Sequence, residues 1–265
     1  MRKYRIVLPV LFCLSLFSFQ NCGNSYQDYA NENGRQIVID RANNYLTAGD
    51  CDSAIETLIP LYNSQYVDNS VRMVMASAYG CKGGIHFPNI ITALTEISGS
   101  DIWSPIISAN YSTGESDGKI AALLLATHVI RQTASITGSL DANLRDDDAN
   151  TYMVFIQLNV LAAILAPLGG ANSTTGKKTI TGFAATSSTT EQCRTTNAFS
   201  DLVDSINNLN ATGKFSKVKD TITNLCTSVF AGSCPTTRRY DDCVAADYVS
   251  GQGILNYIDS NQWST

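Results

Sequence analysis

Apolar residues recur along much of this chain at three- and four-residue intervals, the spacing of one face of a helix. Ile37, Ile39, Ala42, Tyr45 and Leu46 form the first such run, and Ala48-Gly49-Asp50 ends it. Asp52 is placed to cap a second helix, with Ala54, Ile55, Leu58, Ile59 and Leu61 on one face and Glu56 in its early turns. Asp68 or Asn69 would cap a third, Val71 to Gly80, which Gly83-Gly84 breaks. Pro88 then starts a fourth, Asn89 to Ile97. Residues 98–115 read as a long polar connection containing Trp103 and Pro105. Gly118 to Ile136 is apolar at helix length, and Asp141 to Asp148 is an acidic lead-in to Tyr152–Leu165, which is apolar almost all round. Gln157, Asn159 and Pro167 mark that helix as a buried core element rather than a membrane span. Residues 172–197 hold twelve Ser or Thr and read as an exposed loop, with a short β-hairpin as a candidate around Lys177–Ala185. Helical patterns resume at Ala198–Leu209, Phe215–Phe230 and Asp241–Ile258. The expected fold class is all-α: helical hairpins or a helical bundle with one Ser/Thr-rich loop.

Composition narrows this picture. The chain has 265 residues, 44% hydrophobic and 15% charged, enough to bury a core as one large or two small domains. Its net charge of −5 argues against a nucleic-acid partner, which needs a basic patch.

The N-terminus has its own pattern. Arg2, Lys3 and Arg5 precede about fourteen mostly apolar residues, Ile6 to Phe19, and Gln20-Asn21-Cys22-Gly23-Asn24 follows. A charged start and a short apolar stretch form an export signal, too short for a comfortable span. With Cys22 at its end, the segment resembles a bacterial lipoprotein signal, with Gln20 and Asn21 where that family carries small residues. A conventionally cleaved signal and an uncleaved anchor are the alternatives, and no small-x-small site ends the apolar stretch. The resemblance implies cleavage before Cys22, acylation of its sulfur and attachment to a Gram-negative envelope membrane. Gly23, rather than Asp, after the cysteine implies the outer membrane. Loss of three cations with the signal would take the net charge from −5 to −8.

The cysteines fit export. Cys13 leaves with the signal and Cys22 would be acylated, so Cys51, Cys81, Cys193, Cys226, Cys234 and Cys243 remain. An even count in an exported chain implies disulfides, and six cysteines allow fifteen pairings. Clustering favours Cys51–Cys81 and two bridges within residues 193–243. Zinc motifs bring closer Cys pairs or paired His, so no metal or cofactor is expected.

Residues 30–97 also carry a repeat signal. Ala42-x-x-Tyr45 recurs as Ala76-x-x-Tyr79 after 34 residues, and Ala54 and Leu58 follow Tyr45 at nine and thirteen. This spacing resembles the tetratricopeptide helix–turn–helix, with Pro88 standing where the second copy needs a small residue. The alternative is any antiparallel helical hairpin with Ala and Tyr in its core. The expected organisation is a signal over 1–21, a tether over 22–29, a TPR-like helical region over 30–168, a Ser/Thr-rich loop over 169–197 and a disulfide-linked helical region over 198–265.

Candidate chemistry is sparse. Gly114-Glu115-Ser116-Asp117-Gly118 matches the G-x-S-x-G of hydrolases, but that turn needs a buried strand before it, and two acids flank Ser116. The plainer reading makes Ser116 or Asp117 a helix cap. Gly170 to Lys178 fails the spacing of a phosphate loop. Asp141, Asn143 and Asp146-Asp147-Asp148 could hold calcium, although Arg145 and Tyr152 break the EF-hand pattern; otherwise they are an acidic helix start. His86 and His128 have no partner visible in sequence. These observations lead to a lipid-anchored envelope protein that binds a protein partner without catalysis. A hydrolase using Ser116 and a calcium or small-ligand binder are the alternatives.

Overall fold

The computed structural model describes residues 28–97, 101–110, 116–135, 137–209, 214–246 and 248–265. Residues 1–21, which read as a signal in the sequence and include Cys13, lie outside the described residues, as does Cys22. The described chain is all-helical: eleven α-helices, short 3-10 turns at Ala142–Leu144 and Phe183–Thr186, a π turn at Ile258–Gln262, and no strand.

Helix α1 (Glu32–Thr47) is capped by Asn31, whose side chain accepts the Asn33 N–H. Helix α2 (Cys51–Tyr62) is capped by Asp50, not Asp52, because the Asp50 carboxylate reaches the Ser53 N–H. Asp68 caps α3 (Asn69–Lys82) in the same way through Val71. The apolar face of each turns inward, with Val38, Ala42, Ala54, Leu58, Leu61, Val71, Met75 and Ala76 buried. Consecutive packing of α1, α2 and α3 makes the first layer. Ala42 and Ala76 both sit in the core as the repeat requires, whereas Tyr45 is exposed. A second tetratricopeptide unit would also fold α4 (Phe87–Glu96) back on α3. Instead α3 packs on α6 (Ser116–Arg131), and α4 packs on α5 (Trp103–Asn110).

Helix α5 replaces the polar connection expected over 98–115. Ile102, Trp103, Ile106 and Ile107 are all buried, so the polar residues between them hid one apolar face. The Asp101 carboxylate starts the helix by accepting the N–H groups of Trp103 and Ser104.

Helix α7 (Asp147–Leu168) is the central element, packed by α5, α6 and α8 (Thr189–Asn207). It is long and apolar enough to cross a bilayer, but 78% of its apolar window is buried inside the protein, as suits a core helix. Its polar residues are satisfied internally: Gln157 donates to Thr127 Oγ1 at 2.9 Å and Asn159 to the Phe155 carbonyl at 2.8 Å. Gly80 makes room for the Tyr152 side chain of α7, since a Cβ there would strike its hydroxyl.

The Ser/Thr-rich stretch is shorter and better tied down than expected. Residues 189–197 belong to α8, which opens with a full capping box between Ser188 and Glu191. The remainder forms no hairpin, because its backbone bonds run elsewhere. Thr179 and Ile180 donate to the Gly169 carbonyl, and Lys178 donates to Ser264. Gly176, at φ 66°, passes so close to the Ser104 carbonyl that a Cβ would collide with it. Phe183 is buried edge-on against Trp263, whose indole N–H donates to Gly176 at 2.9 Å.

The C-terminal elements are α9 (Lys214–Phe230), α10 (Tyr240–Ala246) and α11 (Tyr248–Tyr257), so the stretch expected as a single helix over 241–258 contains two. Helices α10 and α11 pack on α8. Buried apolar residues from Val38 to Trp263 form one continuous cluster.

Candidate functional site

The six described cysteines form three pairs. Cys51 and Cys81 join α2 to α3 with Cα atoms 5.6 Å apart. Cys193 and Cys243 join α8 to α10 at 5.5 Å, and Cys226 and Cys234 close the end of α9 at 5.0 Å.

The other residues singled out in the sequence are dispersed. Ser116 opens α6; its side chain and residues 111–115 lie outside the described residues. The helix α5 occupies residues 103–110, where the strand of a nucleophile turn would run. Asp117 pairs with Arg194 at 3.0 Å. His86 and His128 are exposed, at the start of α4 and near the end of α6. Asp141 and Asp146 each accept a backbone N–H of their own turn, from Asn143 and Ala149. Among the described residues no three His, Cys, Asp or Glu side chains converge as a metal cage would require.

A buried ion cluster that no sequence motif announced lies between α6, α8 and the segment before α10. Arg131, at the end of α6, donates to Asp201 at 2.5 Å and to the Arg238 carbonyl at 3.2 Å. Arg238 reaches Asp204 at 3.1 Å and the Leu140 carbonyl at 2.5 Å. Arg145 donates to Asn150 at 2.9 Å and Ser205 at 3.1 Å, and makes no ion pair among the described residues. Three guanidiniums and two carboxylates therefore stand in one cluster, with two one-to-one ion pairs among them. Arg131 Nε, Arg145 Nη1, Arg238 Nε and Asp201 Oδ1 are buried without a hydrogen-bond partner. Burial pushes the Asp201 carboxyl up, against the pull of Arg131, Arg145 and Arg238. Burial pulls Arg145 down, more than Asp201 and Asp204 restore, and Arg131 and Arg238 add repulsion. The only signal in sequence was Asp201 itself, an acid on the buried face that Ala198, Leu202 and Ser205 define on α8.

The cluster forms the floor of an open cleft of about 350 Å³. Arg131, Asp201 and Arg238 line it from the cluster, Leu124 from α6, and Arg239 and Tyr240 from the rim. Asn197 braces that rim in the amide orientation that satisfies both neighbours, its nitrogen donating to the Thr237 carbonyl at 3.0 Å and its oxygen accepting the Tyr240 N–H at 3.1 Å. Cys193–Cys243 ties the rim helix to α8 from behind. The chemistry available here is recognition of a negative group by guanidinium forks.

A second buried pair serves a different part of the fold. Lys178 meets Asp259 at 2.6 Å and donates also to the Asp259 carbonyl. The other Asp259 oxygen accepts the Gly182 N–H at 2.6 Å.

Comparison of the chain with protein-family models, with curated proteins and with solved structures finds no match.

Proposed function

We propose that this chain is a lipid-anchored envelope protein of a Gram-negative cell that serves as a non-catalytic binding scaffold for a protein partner. The observation that carries the reading is the cysteine inventory. Cys51, Cys81, Cys193, Cys226, Cys234 and Cys243 are all bonded to one another, so none of them is available to Cys22. Three disulfides suit an oxidising compartment beyond the cytoplasm. The lipoprotein-like leader supplies a role for the remaining cysteine at its end. Two or more acyl chains there would hold the protein to a membrane stably, which one chain does not.

The scaffold reading draws on the all-helical body and on the packed α1–α2 hairpin, where Ala42, Ala54 and Leu58, whose spacing resembles a tetratricopeptide unit, are buried. Substituting Cys22→Ala should move the protein from the membrane to the soluble fraction of its native host; persistence in the membrane contradicts the anchor. Crosslinking in living cells should then recover one or two discrete envelope partners with the wild-type chain. Recovery of none contradicts the scaffold.

A further inference from the structure

We propose that the arginine-floored cleft and the adjoining face of α6 dock an acidic, apolar segment of a protein partner. A carboxylate of that segment binds Arg239 with Arg238 and Arg131, and its apolar side chains lie on Leu124 and Leu125. This deepens the binding-scaffold reading and rests on it.

Charge selects the occupant. The chain carries a net −5, yet with Asp204, the partner of Arg238, and Arg145 beside them counted, four arginines face three acids at this cleft. Local inversion of charge on an acidic protein draws an anionic group to that place. Arg131 and Arg238 are anchored to Asp201 and Asp204. Arg239 is exposed and makes no ion pair among the described residues. Its planar fork matches a carboxylate with two parallel hydrogen bonds.

The neighbouring surface supplies the apolar half. On α6, Ile120, Leu123, Ala126 and Val129 face the core. Leu124 and Leu125 on the other side are 42% and 48% exposed, with Ala121 exposed one turn before them. Leu124 also lines the cleft, so the apolar face runs directly into the charged pocket. Tyr240, 40% exposed, lines the cleft as well. Arginine and tyrosine beside an exposed leucine pair are the residues that anchor protein interfaces. A cleft of about 350 Å³ admits one or two side chains rather than a large cofactor.

The site is also held in shape before anything binds. Asn197 fixes both ends of the 237–240 segment, and the Cys193–Cys243 bridge fixes the helix that follows. Little ordering remains to oppose association.

The test probes the full detergent-purified chain on an array of immobilised ten-residue peptides. Asp or Glu is set among Leu, Ile and Ala in every register, and each member has an Asn or Gln counterpart. The acidic members should retain the protein at least tenfold better than their amides. Arg239→Gln should lose that preference while melting at the same temperature, and Leu125→Ser should weaken retention of every acidic member. Equal retention of acids and amides, no retention, or unaltered behaviour of Arg239→Gln overturns the proposal. Complete competition by millimolar sodium acetate also overturns it, since the cleft would then take small carboxylates rather than a peptide. A partner crosslinked in cells at a surface away from the cleft would overturn this site and leave the scaffold reading standing.

Discussion

Lys178–Asp259 and the Arg131–Arg145–Arg238 cluster are both buried charge networks, but they are built differently. In the first, one cation faces one anion, and both carboxylate oxygens of Asp259 and the Lys178 ammonium are hydrogen-bonded. In the second, three cations face two anions and four buried polar atoms have no hydrogen-bond partner among the described residues. The closed pair seals the 169–188 loop to the C-terminal turn and has no charge left over. The open cluster leaves excess positive charge beneath a cleft, and Arg239 adds an exposed fork at its rim. A neutral, saturated network is a staple, whereas one with a spare cation beneath a cleft draws an anion toward it.

The largest way to break this contrast is at the staple. Lys178→Met strands the Asp259 charge in the interior and should cost about 3–5 kcal/mol by urea denaturation. A loss below about 1 kcal/mol would show that the pair holds nothing. Asp101 comes next, since it ties α5 to the C-terminus by accepting from Ser104 and Ser264. Asp101→Asn should cost about 2 kcal/mol at neutral pH. Burial raises the Asp101 carboxyl, but the hydrogen bonds from Ser104 and Ser264 outweigh it and hold the group below its ordinary value. Its contribution is therefore present above the unfolded carboxylate pKa and disappears as pH falls through the lowered folded value. Acid titration of stability should show that loss in the wild type and not in Asp101→Asn.

Within the open cluster, Arg145 is the cation that makes no ion pair among the described residues. Arg145→Met removes an orphaned buried donor along with two hydrogen bonds, and should cost only about 1–2 kcal/mol. A cost equal to that of Lys178→Met would erase the distinction between the networks. Smallest of all, Arg239→Gln touches only the rim and should change stability by less than about 0.5 kcal/mol in the same denaturation experiment.

These elements differ in how far the sequence announces them. Helix α7 is plain, because a run apolar on every side has nowhere to go but the core. Asp68 is one of two candidates in the sequence and is the cap of α3, whereas Asp50 reads there as the end of the first run and Asp52 as the cap of α2, a two-residue error. Helix α5 was hidden because Ser104, Pro105 and Ser108 dilute its composition, although Ile102, Trp103, Ile106 and Ile107 kept helical spacing. The glycines at 176 and 182 did mark turns, but the backbone between them bonds to Gly169 and Ser264, which no local pattern reveals. Clustering anticipated Cys51–Cys81 and the confinement of the other bridges to the C-terminal part, while their choice of partners needed the fold. The arginine cleft was least legible. Its residues come from four separate segments, and Arg131 lies 107 positions from Arg238.

The most direct measurement sets two surfaces of the living protein against each other. A photocrosslinking residue replaces Leu125 on α6 in one strain and Ile37 on α1 in another; the two side chains are 48% and 39% exposed. A discrete envelope partner captured from position 125 and not from 37 is the result expected if the cleft and its apolar border are the docking surface. Capture from position 37 alone would return the interface to the α1–α2 hairpin and contradict a docking role for the open arginine cluster.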